Sequence, residues 1–367
     1  MAAKMRSAGA GTAAAAVAVA ALLALMPLLA QAIAIEKVRQ LAAKNNVTCV
    51  LVFGDSSVDP GNNNVLQTTF KGNFPPYGRD FFKGRPTGRF CNGRLATDFI
   101  AEALGYTKAI PAFLDPKLTK SDLLYGVSFA SAASGYDDLT ANMSSVLSVS
   151  QQLEYFLHYK IHLRKLVGVK KAEEIINNAV FVMSMGTNDF LQNFFLDPTR
   201  PRQYSLRAYI NFLISCMSRD VQEMHRMGAR RVVVVGIPPL GCMPLVKTLK
   251  DTTTCYQAFN NLSFSFNSLI RRKLHSLGKS LGLKTAFVDV YAIVLDAIKR
   301  PHRYGLTETS KGCCGTGTIE YGDTCRGLTT CSEPEKYVFW DAVHPTEKMY
   351  KIVALEALAL IGENVLS

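Results

Sequence analysis

Residues 47–59 of this chain read Val-Thr-Cys-Val-Leu-Val-Phe-Gly-Asp-Ser-Ser-Val-Asp. The first seven are mostly apolar, which is typical of a strand buried on both faces of a parallel sheet. Gly54 ends this strand, and Ser56 follows it at once. In open parallel sheets, ligands bind beyond the carboxyl ends of the strands, so Ser56 stands where a site is expected.

Four further apolar runs have the form of buried strands: 127–130, 180–185, 231–237 and 285–290. Segments with helical spacing alternate with them: 95–104, 150–166, 209–227, 256–281 and a last helix that begins at Pro345. This alternation predicts an α/β fold with a parallel five-stranded sheet and helices on both faces. No linker or internal repeat interrupts the pattern, so residues 35–367 are predicted to form a single domain.

Two other motifs carry groups that a serine nucleophile requires. Asn188 follows the strand at 180–185 and can donate its amide to an oxyanion, together with the backbone N–H of Ser56. His344 can act as the base, with Asp341 three residues earlier to orient its ring. In isolation, Gly-Asp-Ser is a common turn and Asp341 an ordinary helix cap. Their joint occurrence favours Ser56, His344 and Asp341 as a catalytic triad.

Five blocks of the chain resemble those of the plant GDSL esterase/lipase family: 53–64, 84–94, 186–189, 311–315 and 339–346. The resemblance implies a flavodoxin-like SGNH-hydrolase fold, a three-layer sandwich, with a Ser-His-Asp triad and no metal or cofactor. It also implies a glycine donor to the oxyanion, assigned to Gly135. Here the sequence departs from its relatives, because Ala133 stands where they often have glycine. An alanine impairs that position only if the backbone there needs a positive φ.

The function expected from these residues is hydrolysis of a carboxylic ester through an acyl-enzyme on Ser56. Transfer of the acyl group to a second alcohol uses the same triad and stays open, as does a non-catalytic secreted binding protein. The ester partner could be a lipid, a surface polyester or an acylated polysaccharide, and the protein is expected to be a monomer. The serine is not in the Gly-x-Ser-x-Gly elbow of the commoner lipase fold.

The N-terminus has the form of a secretory signal peptide, residues 1–34. Lys4 and Arg6 precede an uncharged apolar run at 13–30, and small residues follow it. An uncleaved membrane anchor is the alternative. Sequons at Asn46, Asn142 and Asn261 agree with a secreted, extracellular glycoprotein. The net charge is +12, but the basic residues are scattered, which argues against nucleic acid as a partner.

The nine cysteines favour an oxidising compartment. Four of them, Cys313, Cys314, Cys325 and Cys331, lie in a segment of little periodicity just before Asp341, and we expect two disulfides among them. Their spacing does not match a zinc site. These disulfides should hold the chain that delivers Asp341 and His344. Because the cysteine count is odd, at least one thiol is free, with Cys49 and Cys216 as candidates.

The signal peptide can be tested on protein exported by the native host. Cleavage after Ala32 or Ala34 gives a mature chain that starts at Ile33 or Ile35, and N-terminal sequencing should find one of these residues. Recovery of Met1 on membrane-bound protein would favour the anchor instead.

Overall fold

The computed structural model describes residues 32–367, so the predicted signal peptide lies almost wholly outside the described residues. Within these residues there are six strands: β1 Val50–Gly54, β2 Val180–Ser184, β3 Arg231–Val235, β4 Lys284–Val288, β5 Glu308–Gly312 and β6 Tyr337–Phe339. The helices are α1 (32–44), α2 Ala96–Ala103, α3 Asp122–Tyr125, α4 Asp138–Met143, α5 Val149–Val167, α6 Val169–Asn178, α7 Thr199–Gln203, α8 Leu206–Arg226, α9 Pro244–Leu249, α10 Gln257–Leu281, α11 Val290–Lys299 and α12 Glu347–Asn364.

The main sheet is parallel, with the strand order β1-β2-β3-β4. Residues 127–131 run along the free edge of β1, where Ser128 forms a parallel bridge with Val52. Because this segment comes second in the chain, the spatial order corresponds to the flavodoxin-like order 2-1-3-4-5. The order reverses between β1 and β2, and a ligand crevice is expected there.

The prediction of a five-stranded sheet is wrong in its strand count, because residues 127–130 do not form a regular strand. Val52 donates to Val127 O and Phe129 donates to Val52 O, as in a parallel ladder. The next rung is missing, since the N–H of Gly54 donates to Gln152 Oε1 at 2.9 Å. A side chain from α5 therefore replaces one ladder bond, and four regular strands remain in the main sheet.

Helices cover both faces of the sheet and give the three layers that the sequence predicted. On one face α12 packs against α2, α11 and β4. On the other, α5 packs against β1 and α8, and α8 packs against α10. The side chains of β3 alternate accordingly, so Val233 and Val235 point toward the α12 layer while Val232 and Val234 point away from it.

The predicted start of the last helix is two residues too early. Pro345 lies outside the helix and forms an antiparallel bridge with Phe339. α12 begins at Glu347, after Thr346, whose hydroxyl accepts the N–H of Met349 at 3.2 Å. His344 therefore lies on the short connection between β6 and α12.

Three disulfides are formed: Cys313–Cys331, Cys314–Cys325 and Cys242–Cys255. The two expected in the segment before Asp341 are confirmed, with their connectivity now defined. The free thiols are Cys49 and Cys216, as predicted, and also Cys91; all three are buried. Among residues 32–367, no helix combines the length and the apolar composition needed to cross a bilayer.

Gly54 is the glycine on which the position of Ser56 depends. It has φ +149°, and a Cβ there would lie 2.1 Å from the carbonyl oxygen of Ser184. Gly54→Ala should lower the free energy of unfolding by more than ~3 kcal/mol, because the backbone of residue 54 or that of Ser184 must move. Gly282→Ala is the matched control, since Gly282 has φ +67° with nothing within 4 Å; it should cost about 1 kcal/mol. If denaturant titrations find the same loss of unfolding free energy for Gly54→Ala and Gly282→Ala, this account is contradicted.

Candidate active site

Ser56, His344 and Asp341 form a continuous chain of hydrogen bonds at the carboxyl end of the sheet. Ser56 Oγ lies 2.9 Å from His344 Nε2, and His344 Nδ1 lies 2.8 Å from Asp341 Oδ2. Because a carboxylate can only accept, Nδ1 carries the ring proton and Nε2 is left to accept the proton of Ser56. The structure thus brings together the three residues that the sequence singled out, in the geometry of a nucleophile, a base and its orienting acid.

Asp341 is fully buried and all of its hydrogen-bond partners are donors. Its Oδ1 accepts the backbone N–H groups of Val343 and His344, at 2.8 and 2.6 Å. Its Oδ2 accepts the ring of His344 and also the hydroxyl of Tyr77, at 2.7 Å. Four donors hold this carboxylate in one orientation, which in turn fixes the imidazole.

Tyr77 links Asp341 to the disulfide-bonded segment. Its hydroxyl donates to Asp341 and accepts the N–H of Gly322 at 2.7 Å. Gly322 lies inside the loop that Cys314–Cys325 closes. Burial, and then the charge of Asp341, raise the pKa of Tyr77 well above its ordinary value. Tyr77 therefore stays protonated and keeps its role as a donor at any pH that the fold tolerates.

Phe90 packs against the face of the histidine ring. The centroids of Phe90 and His344 are 4.9 Å apart, with an interplanar angle of 34°. Phe90 is buried together with Tyr77 and Trp340 in a small apolar cluster beside the disulfides. This packing restricts the ring of His344 from the side that hydrogen bonds do not reach.

Asn188 lines the same cavity as Ser56, and part of its amide is unused. Its Nδ2 donates one hydrogen to the carbonyl of Ser134 at 2.9 Å, and its Oδ1 accepts from Gln192 at 3.2 Å. These contacts fix the amide so that its second hydrogen is free for a ligand. Within residues 32–367, the backbone N–H groups of Ser56 and Gly135 have no protein acceptor. These two N–H groups and the second amide hydrogen of Asn188 are thus without an acceptor among the described residues.

Position 135 requires a glycine, because a side chain there would clash with Asp189. A Cβ on Gly135 would lie 2.3 Å from Asp189 Oδ1. Asp189 accepts the N–H groups of Tyr136 and Asp137 and the hydroxyl of Thr140, at 2.8, 3.1 and 2.6 Å. Burial raises the pKa of Asp189 to about 7, against the opposing effect of these donors. Asp189 therefore holds residues 135–140 next to Asn188.

Ala133 has φ +70°, so it occupies the left-handed region that glycine adopts more easily. The departure from the family pattern therefore falls at a position where a positive φ is needed. An alanine there costs roughly 1 kcal/mol relative to glycine, and the N–H of the residue is retained.

Asp55, between Gly54 and Ser56, is also buried. Burial raises its pKa to about 6, while the N–H and hydroxyl of Ser57, which donate to its Oδ1 at 2.9 and 2.7 Å, lower it. Ser57 in turn contacts Ser184 through its hydroxyl at 2.8 Å. Ser56 lies on the turn between Asp55 and Ser57, and these hydrogen bonds hold that turn against the end of β2.

The three sequon asparagines, Asn46, Asn142 and Asn261, are exposed, which glycosylation requires. They lie after α1, in α4 and in α10.

The family model for GDSL-like lipase/acylhydrolase matches residues 50–357. This chain belongs to that family. A GDSL esterase/lipase of Arabidopsis thaliana is 58% identical over 328 residues, which cover 89% of this chain and 92% of the relative. A second Arabidopsis thaliana GDSL esterase/lipase is 44% identical and covers 84% of this chain and 89% of its own length. A solved acetylxylan esterase mutant from Geobacillus stearothermophilus aligns over 86% of this chain and 94% of its own at 14% identity, with a TM-score of 0.40.

Tyr77, Phe90 and Gln152 were not predicted for this GDSL site, although each holds one of its parts in place. Tyr77 is 264 positions from Asp341, and Gln152 is 98 positions from Gly54. The one signal for Phe90 was its place in the family-like block 84–94. Neither Tyr77 nor Gln152 carries a local pattern that distinguishes it from an ordinary buried residue.

Tyr77→Phe tests the support of Asp341. The change removes one donor from a buried carboxylate and leaves the N–H of Gly322 unpaired, so kcat on an ester substrate should fall about tenfold. KM should not change, because Tyr77 does not line the cavity beside Ser56. Tyr159→Phe is the matched control, since it removes a buried hydroxyl that donates to Leu123 O at 2.7 Å, away from the site. If kcat for Tyr77→Phe equals that of Tyr159→Phe, Tyr77 does not support Asp341 in the reaction.

Proposed function

We propose that this protein hydrolyses carboxylic esters through an acyl-enzyme on Ser56. The observation that carries the proposal is the hydrogen-bonded chain from Asp341 through His344 to Ser56 Oγ. Membership of the GDSL family supports the same class of reaction.

In the first half of the reaction, His344 Nε2 takes the proton of Ser56 as Oγ attacks the ester carbonyl carbon. The tetrahedral intermediate collapses, the bond to the alcohol oxygen breaks, and His344 returns its proton to that oxygen. In the second half, water attacks the acyl carbon and His344 accepts a proton from it. The bond from that carbon to Ser56 Oγ then breaks, His344 returns the proton to Oγ, and the acid leaves. Asp341 keeps its hydrogen bond to His344 Nδ1 throughout and stabilises the imidazolium.

The negative charge of each intermediate forms on the former carbonyl oxygen. The free amide hydrogen of Asn188 and the backbone N–H groups of Ser56 and Gly135 are the donors proposed for it. Their supports are the contacts of Asn188 with Ser134 and Gln192, and the clamp of Asp189 on the segment after Gly135. Donors held in place before the reaction stabilise the oxyanion without reorganisation.

The proposed location is extracellular, after removal of residues 1–34. The three disulfides and the exposed Asn46, Asn142 and Asn261 support an oxidising compartment and glycosylation. The substrates proposed are esters of lipids, surface polyesters or acylated polysaccharides.

Ser56→Ala and His344→Ala test the mechanism with p-nitrophenyl esters as substrates. Each should lower kcat by roughly 10³-fold or more, because the relay acts as one unit, with little change in melting temperature. Ser150→Ala, an exposed serine at the start of α5, is the control that should keep full activity.

A fluorophosphonate probe gives an independent readout of the same proposal. Peptide mapping should find the label on Ser56 and not on the adjacent Ser57. A Ser56→Ala protein that retains half of its activity, or a label on another serine, would refute the assignment.

A further inference from the structure

A cavity of about 110 Å³ lies next to Ser56. Ser56, Asn188 and His344 line it at one end. Farther in, its walls are mostly aliphatic and come from the sheet and from the helix layer of α2, α11 and α12, among them Val182, Val233, Val288, Ile100, Val294 and Ala357. Protein interiors are close-packed and have few voids larger than a water molecule, so a cavity of this size beside a nucleophile indicates a ligand-binding site.

The cavity enters the protein beneath the carboxyl ends of the strands. On β2 it is lined by Ser184 and then by Val182, and on β3 by Val235 and then by Val233. Residues two apart on a strand are separated by about 7 Å, so the cavity reaches roughly that far below the end of the sheet. Walls of this composition favour an apolar ligand.

We infer that this cavity holds the acyl group of the ester, and that it selects unbranched acyl chains of about four to six carbons, since a cavity of roughly 150 Å³ holds benzene. This inference rests on the proposed function of Ser56. The acyl carbon is bonded to Ser56 Oγ in the intermediate, so the acyl chain must start at the mouth of the cavity. The alcohol must leave and water must enter, so both need the solvent side of His344.

The choice of the acyl chain over the alcohol thus follows from the reaction itself. An apolar cavity that runs inward from Ser56 can hold a group that remains bound through both halves of the reaction, but it does not favour the passage of a polar product. The same placement serves hydrolysis and acyl transfer, because both pass through the same acyl-enzyme.

The experiment measures kcat/KM for p-nitrophenyl acetate, butyrate, hexanoate, octanoate and laurate. The wild-type protein should prefer butyrate or hexanoate and lose at least ~10-fold by laurate, because even one methylene that the cavity does not fit is worth about tenfold in such a pocket. Val233→Ala enlarges the cavity and should raise the octanoate-to-butyrate ratio about tenfold. Ala357→Leu fills it and should lower the hexanoate-to-acetate ratio by a similar factor.

Val234→Ala is the matched control for Val233→Ala. It deletes the same atoms from the next residue of β3, on the opposite face of the sheet, where the side chain is fully buried and does not line the cavity. It should destabilise the protein to a similar extent and leave the chain-length ratios within about twofold.

The outcomes separate the two proposals. An active enzyme whose ratios do not differ between Val233→Ala and Val234→Ala, or whose wild type prefers laurate, overturns the acyl site and leaves the hydrolase intact. If Ala357→Leu fails to fold, the comparison of the two valine variants still decides. A wild-type protein that cleaves no ester and takes no label on Ser56 overturns the proposed function itself.

Discussion

The site depends on the hydrogen bonds and the close packing of the Gly54 backbone. The carbonyl of this residue accepts three hydrogen bonds, from the N–H of Ser131, the hydroxyl of Ser134 and the side chain of Gln152. Its Cα approaches Ser184 so closely that no side chain fits. One residue therefore joins β1, the end of β2, helix α5 and the segment that precedes Gly135. Ser56, two residues later, takes its position from all four.

A second anchor, at Asp341, completes the arrangement from the other end of the chain. The four donors around this carboxylate come from its own turn and from Tyr77, which in turn contacts the disulfide-bonded loop. The arrangement of Ser56, His344 and Asp341 is thus held by buried hydrogen bonds to other parts of the fold on both sides. Such pre-organisation is what lets a serine, a histidine and a carboxylate act as one unit.

The sequence predicted the fold and the central residues because their signals are local. Apolar runs that end in glycine or in a polar turn place Ser56 and Asn188 at one edge of a parallel sheet, and the two-disulfide segment is visible from its cysteines. The supporting contacts were missed because they join distant residues. Gln152 interrupts the ladder beside β1 and changes the strand count, yet in sequence it is one polar residue on a helix. Thr346 caps α12, but Pro345 beside it is an equally acceptable first helical residue.

The two ends of the hydrogen-bonded relay are far apart in the sequence, and the ribosome therefore makes them at different times. Ser56 and His344 are separated by 288 positions. At a ribosomal rate of roughly 5–20 residues per second, the serine precedes its base by about 15–60 s. Throughout that interval a nascent chain carries a serine hydroxyl with no partner to accept its proton. On the proposed mechanism, a translation product that ends before His344 has no base for Ser56 and therefore cannot cleave esters while it is still being made.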